Sequence, residues 1–192
     1  MANSYQKTIA IMGAEWSFSD EAARFWLKTQ DFEAVLSYMI SADNVFLALN
    51  ESNADLGFLA LQNAAGGIVS ETVQALAKNQ SEIVEYVPYQ IDQCLLAKKK
   101  NIAAKAVCSH PHALAQCSII LNTEFSDTPL ITAGDTALAA QQLAKGIISP
   151  ETYVIASEAA ANHYGLVILK KSIQNLAKNK TDFIVVRSTE KR

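Results

Sequence analysis

The eleven residues VCSHPHALAQC, 107–117, hold two of the chain's three histidines and two of its three cysteines. Side chains of these types serve metal ligation, attack by a thiolate beside an imidazole base, or capture of an anion at a strand-to-helix turn. A zinc site needs three or four ligands spaced to converge on one ion. His110 and His112 flank Pro111, and Cys117 lies more than a helical turn farther on, so no metal is expected. Cys117 falls with Leu114, Ile120 and Leu121 on one helical stripe, where a small apolar residue packs into a core. Cys108 closes an apolar strand and reads the same way. Pro111 suits the first position of a helix, which makes His110 the N-cap and leaves Ser109 on the turn. Backbone N–H groups at such a turn attract anions. Two readings stay open: a turn that offers Ser109, His110 and backbone donors to an anionic ligand, and a turn that only joins two elements.

Such a turn needs a strand and a helix to hold it, and the whole chain supplies that alternation. Short apolar runs alternate with amphipathic stretches of helical length, the pattern of an α/β fold with mostly parallel strands. Strands are expected at 7–12, 56–61, 82–87, 90–97, 104–108, 153–157, 166–169 and 183–187. Helices are expected at 42–50, 68–77, 111–121, 135–145 and 158–164. Another helix starts at a Ser19 cap, with Asp20 and Glu21 in its first turn. Gly146 and Gly165 read as helix stops. Half of the 192 residues are apolar, enough for one substantial core or two small lobes sharing a hinge. YVPYQIDQ and LAKNKTDF are the expected crossings.

At a formal net charge of -3 there is no basic stripe for nucleic acid and no polybasic run for a membrane. A small-molecule partner is the expectation. The opening MANSYQKTIAIMG lacks the layout of a secretion signal, and no apolar run approaches a membrane span. An odd number of cysteines without a CxxC pair fits free thiols in a reducing, cytoplasmic setting.

SHPHALAQC closely resembles the Ser-His-Pro-Gln-Ala-Leu-Ala-Gln-Cys motif of prephenate dehydratases, and the likeness continues in order along the chain. GAEWSFSDEAA (13–23) is similar to their Gly-Pro-x-Gly-[Ser/Thr]-[Phe/Tyr]-Ser segment, and ADLGFLALQNAAGGIV (54–69) to the stretch ending Glu-Asn-[Ser/Thr]-x-x-Gly. DTALAA (135–140) resembles Ser-Thr-Ala-x-Ala, IASEAAANHYGLVIL (155–169) the segment leading into Tyr-Gly-Leu, and NKTDF (179–183) the Thr-Arg-Phe motif. The resemblance implies a two-lobed α/β fold like the type II periplasmic binding proteins, with a ligand cleft between lobe one (6–89 and 172–192) and lobe two (90–171). It implies no cofactor, prephenate or a related cyclohexadienyl acid as ligand, and is compatible with a homodimer. The regulatory ACT domain that commonly follows in the family is not expected, since the chain stops at Arg192, and phenylalanine feedback is not expected either.

Prephenate becomes phenylpyruvate by losing carbon dioxide and water together, so a catalyst must hold a dianion and give a proton to the departing hydroxyl. The resemblance implies Thr181 as that proton donor, and Ser17, Gln62, Asn63, Ala64, Ser109, His110, Asp135, Thr136, Asp182 and Phe183 as ligand-lining positions. Five positions depart from the motifs: Trp16 stands for a glycine, Gln62 for Glu, Ala64 for Ser/Thr, Asp135 for Ser and Asp182 for Arg. Asp182 reverses a charge beside the proton donor and should disfavour a dianion. Two alternatives follow: a prephenate decarboxylase that does not aromatise, and a non-catalytic binding protein whose Asp135 and Asp182 favour a ligand with an amine.

Overall fold

A computed structural model describes residues 6–189. In chain order the elements are β1 (Lys7–Ile11), α1 (Phe18–Leu27), β2 (Ala34–Tyr38), α2 (Ala42–Asn50), β3 (Leu56–Asn63), β4 (Gly67–Ile68), α3 (Ser70–Lys78), β5 (Ser81–Gln90) and β6 (Cys94–Ala97). They continue with β7 (Ala106–Ser109), α4 (Pro111–Gln116), α5 (Ser118–Glu124), β8 (Leu130–Thr132), α6 (Thr136–Lys145), β9 (Thr152–Ala156), α7 (Glu158–Tyr164), β10 (Val167–Lys170) and β11 (Lys180–Ser188). Two compact units result, the first from the chain up to Tyr89 and again from Lys180, the second from Gln90–Asn179.

The first unit is a mixed sheet in the order β2-β1-β3-β11-β5, with β4 paired to β3. β1 runs parallel to β2 and to β3, and β11 antiparallel to β3. Ile9, Ala10 and Ile11 are wholly buried on both sides of β1, which is why its sequence is a continuous apolar run rather than an alternation. On one face Trp26 of α1 lies 5.9 Å from Phe58, which stacks on Phe183 at 5.1 Å. On the other, α2 packs Val45, Phe46 and Leu49 against Ala10, Leu59, Ile184 and Val186. Gly57 permits that approach, because a Cβ there would stand 2.7 Å from Val45 and 2.9 Å from Val186.

The second unit has the sheet order β10-β6-β9-β7-β8, with β7 parallel to β8 and β9 and β6 antiparallel to β9 and β10. Its core joins Leu95, Val107 and Ile155 of the sheet to Leu114, Cys117 and Leu121. No helix among the described residues is long and apolar enough to cross a membrane.

Several local expectations change. Ser17, not Ser19, caps α1: the Asp20 N–H donates to Ser17 Oγ at 3.4 Å, and Ser19 falls inside the first turn. The helix expected over 111–121 breaks at Cys117, whose φ of -109 and ψ of 18 end α4 and begin α5. Strands β2 and β8 occupy stretches where none was expected, and the strand expected from residue 90 begins only at Cys94. Residues 172–179, expected with the first lobe, belong to the second unit, where the Ile173 N–H donates to Gln93 O at 3.0 Å.

Candidate functional site

In open α/β sheets, ligands are bound beyond the carboxyl ends of the strands. The motif residues of each unit gather there. In the first unit they follow β1 and β3 and meet the start of β11; in the second they follow β7 and β8.

Thr181 stands opposite Asn63 in the β11–β3 ladder, and Asn63 Nδ2 donates to Thr181 Oγ1 at 2.9 Å. The amide's orientation is fixed from its other end, where Asn63 Oδ1 accepts the N–H groups of Ala65 at 2.9 Å and Gly66 at 2.8 Å. Since Oγ1 is the acceptor in this pair, the Thr181 hydroxyl keeps its proton for donation elsewhere. Thr181 is buried, at 7% exposure, so a hydrogen bond it gives to a ligand is little weakened by water. Ala64 is exposed on the same turn, its N–H donating to Lys180 O at 2.8 Å.

Asp182 is placed differently from expectation. Successive strand residues point to opposite faces, so Asp182, paired in register with Gln62, lies on the face away from the Thr181–Asn63 pair. There Gln62 Nε2 donates to Asp182 Oδ2 at 2.8 Å. The two residues that depart from the family motifs are thus hydrogen-bonded to each other. Phe183 also leaves the ligand set, because it is buried in the core against Phe58.

The turn after β1 is held from α1. Trp16 keeps a left-handed backbone, φ 67, at the position where the family has glycine. That conformation costs a non-glycine residue about 1–2 kcal/mol. Its N–H donates to Asp20 Oδ2 at 3.0 Å, and the Arg24 guanidinium lies 5.6 Å from its ring centroid. Asp20, wholly buried, also accepts from Arg24 Nε and Tyr38 Oη, each at 2.8 Å, and burial together with Asp20 pushes the Tyr38 phenol up. Sequence reasoning read Asp20 only as a first-turn charge; its i, i+4 spacing to Arg24 was the signal of this ion pair. Ser17 is buried as the α1 cap, and a Cβ on Gly13 would come within 2.8 Å of its Oγ.

In the second unit the SHPH turn offers less than expected. Ser109 is wholly buried and its hydroxyl donates to Ile155 O at 2.6 Å, tying β7 to β9. The N–H groups of His112 and Ala113 are engaged by His110 Nδ1 at 3.3 Å and His110 O at 2.9 Å. His110 itself remains. With Nδ1 accepting, its proton sits on Nε2, and burial, helped by His112 and opposed by Asp135, lowers its pKa from the ordinary value, so the ring is a neutral donor near pH 7. Asp135 caps α6, its Oδ1 accepting from Ala137 N–H at 2.7 Å and Leu138 N–H at 3.2 Å. The carboxylate expected to select an amine is thus occupied with a helix terminus, where Ser would serve in the same way. Thr136 follows, buried in the first turn.

The three cysteines are free thiols buried in the second unit. Burial pushes Cys117 up to about 12 and Cys94 up to about 11, and raises Cys108 as well. Among the described residues no three His, Cys, Asp or Glu side chains gather to hold a metal ion.

Compared with known proteins, residues 9–191 match the family model described as prephenate dehydratase. The chain belongs to the prephenate dehydratase family. It is 28% identical over 181 residues to the bifunctional chorismate mutase/prephenate dehydratase of Buchnera aphidicola, covering 93% of this chain and 46% of that protein. It is 38% identical over 137 residues to arogenate dehydratase/prephenate dehydratase 1 of Arabidopsis thaliana, covering 69% of this chain and 33% of that one. The chain therefore spans half or less of the length of these relatives. Among solved structures, the prephenate dehydratase of Arthrobacter aurescens in complex with L-Phe superposes with a TM-score of 0.80 at 20% identity, over 96% of this chain and 61% of that one. GqqA, described as a novel type of quorum quenching acylase, superposes with a TM-score of 0.74 at 24% identity, over 97% of this chain and 66% of that one. These structural likenesses establish the two-lobed α/β fold shared by prephenate dehydratases and periplasmic-binding-protein-like proteins.

Proposed function

We propose that the chain is a dehydratase of the prephenate type, acting on prephenate or arogenate, with Thr181 giving the proton to the departing hydroxyl. The observation that carries this is the Asn63–Thr181 hydrogen bond, which makes Thr181 Oγ1 an acceptor and leaves its O–H to donate. In the reaction the bond to the ring carboxylate breaks, its electron pair enters the ring, and the hydroxyl leaves from the opposite carbon as water once protonated. The products are carbon dioxide, water and phenylpyruvate, or phenylalanine from arogenate. Asn63 holds the donor in place. The motif departures do not oppose this reading: Asp182 is hydrogen-bonded to Gln62 on the far face and Asp135 caps α6, so neither supports selection of an amine.

Purified protein incubated with prephenate, and separately with arogenate, tests it. Aromatic product formed in step with substrate loss is expected. Loss of carbon dioxide without an aromatic product would replace the proposal by non-aromatising decarboxylation, and no loss of either substrate would replace it by a binding role.

A further inference from the structure

In the first unit, strand β3 carries one residue more than its partner β11. Phe183 stands opposite Ala60 and Asp182 opposite Gln62, so Leu61 has no counterpart in the ladder and forms a β-bulge. Side chains alternate between faces along a strand, and one inserted residue reverses the alternation beyond it. Before the bulge, Phe58 lies on the α1 face of the sheet, where it meets Trp26 and Phe183. Leu59 and Leu61 pack on the opposite face, against the core around α2. Strict alternation would carry Asn63 to that α2 face as well, away from Thr181, which lies two residues from Phe183 on the α1 face. Across the bulge Asn63 instead stands opposite Thr181 and Gln62 opposite Asp182. The Asn63–Thr181 hydrogen bond therefore depends on the bulge.

Thr72 of α3, in the same unit, holds the bulge in place. The β1–β3 ladder ends at Ile11 and Phe58, followed by one bond from the Met12 N–H to Phe58 O at 3.0 Å. Past that point the carbonyls of β3 are bonded from α3 and the residue before it. Ala60 O accepts from Thr72 Oγ1 at 2.6 Å, and Leu61 O accepts the Val69 N–H at 2.8 Å. Thr72 is wholly buried, at a helix–sheet contact that an apolar side chain would fill equally well. A buried hydroxyl is unfavourable unless it is paired. Oγ1 also lies 3.4 Å from Met12 Sδ, a weak acceptor, so its one proton goes to Ala60 O. What the hydroxyl contributes is direction: it fixes the carbonyl at which the strand steps out of register.

We propose that Thr72 is a positioning residue for the proton donor, its hydrogen bond to Ala60 O holding the bulge that turns Asn63 toward Thr181. This rests on Thr181 being the proton donor. Thr72→Val keeps the shape and removes the hydroxyl; Thr72→Ser keeps the hydroxyl. A reacting group misplaced by about 1 Å slows a reaction about 100-fold. Thr72→Val is therefore expected to lower kcat by about 10- to 100-fold while KM stays within about threefold, and Thr72→Ser to stay within about threefold of the wild type in both. Thr72→Ala, which sets no methyl against the carbonyl, is held to the same outcomes as Thr72→Val. Adding Thr72→Val to Asn63→Ala should cost no further turnover, because the effect passes through Asn63. The side-chain amide resonances of Asn63, identified by their absence from the spectrum of Asn63→Ala, give a readout independent of turnover and of melting temperature. They should shift in Thr72→Val and keep their wild-type positions in Thr72→Ser. Unmoved Asn63 resonances in Thr72→Val, equal turnover by the Val and Ser variants, or a further loss on adding Thr72→Val to Asn63→Ala would each overturn the proposal. If the wild-type chain converts neither prephenate nor arogenate, the dehydratase reading fails, and the resonances still decide whether Thr72 sets Asn63: a shift in Thr72→Val alone supports it, and no shift rejects it.

Discussion

Asp182→Arg distinguishes a carboxylate that meets the ligand from one that lies behind the sheet. The substitution removes the acceptor of Gln62 Nε2, 2.8 Å away, and places a cation on the face opposite Thr181. A charge in contact with the ligand, about 4 Å away at an effective dielectric near 20, is worth about 4 kcal/mol per carboxylate, roughly a thousandfold in affinity. Across the thickness of a sheet the separation is about 10 Å and water intervenes, so changing the charge from minus to plus is worth about 0.8 kcal/mol per carboxylate before salt. Screening over a Debye length of about 8 Å reduces this to a few-fold tighter prephenate binding. Stability should reveal the partnership more clearly. Asp182→Arg loses a hydrogen bond to a charged acceptor, about 1 kcal/mol or more. Gln62→Glu sets two carboxylates in adjacent register and costs a similar amount, about 1 kcal/mol. The double variant restores an opposite-charge cross-strand pair, and a coupling of about 1–2 kcal/mol in favour of the double is expected. Urea unfolding of the four proteins gives the coupling, and calorimetric titration with prephenate gives the affinities. Zero coupling would show that Gln62 and Asp182 are not partners, and a hundredfold or greater gain in prephenate affinity from Asp182→Arg would show that Asp182 faces the ligand.

Asp135→Ala should destabilise the protein by about 0.5–2 kcal/mol through loss of the α6 cap, with Asp135→Ser recovering most of it in the same denaturation assay. His110 is held below its ordinary pKa, so as pH falls from about 7.5 to about 5.5 the unfolded chain takes up a proton near 6.5 that the folded chain declines, and stability falls toward acid. Urea unfolding of His110→Asn across that range should show a shallower decline; an identical slope would mean that His110 is not the group responsible.

The elements legible in the sequence were those whose local pattern settles their fate. β1 reads as a buried strand because its Ile9, Ala10 and Ile11 are apolar on both faces, and α6 reads as a helix from its Asp135 start to its Gly146 stop. AVLSY at the sheet edge is only partly buried, so β2 carried no comparable signal. The break at Cys117 was hidden because the apolar stripe runs on through α5; it depends on Asn175, whose Oδ1 accepts the Ile119 N–H at 2.9 Å from a distant part of the chain. At the candidate site, residue types were legible and directions were not. Asn63 and Thr181 are 118 residues apart, and Gln62 and Asp182 are 120 apart. The ladder between β3 and β11 sets which pairs share a face, and no local spacing encodes that register. Ser109 and Asp135 likewise have the right chemistry for a ligand, but their partners, Ile155 O and the α6 N–H groups, come from the folded chain.

Thr181→Val tests the central claim most directly, because valine keeps the shape of threonine and removes the hydroxyl whose proton Asn63 leaves available, while Asn63 Nδ2, losing Oγ1 as acceptor, keeps its bond to Lys180 O. A general acid contributes about 10²- to 10⁴-fold to the rate, so turnover of prephenate to phenylpyruvate should fall by that factor while calorimetry finds prephenate affinity within a few-fold of the wild type. A variant that keeps its turnover, or one that loses binding and turnover in equal measure, would contradict the assignment of Thr181 as the proton donor.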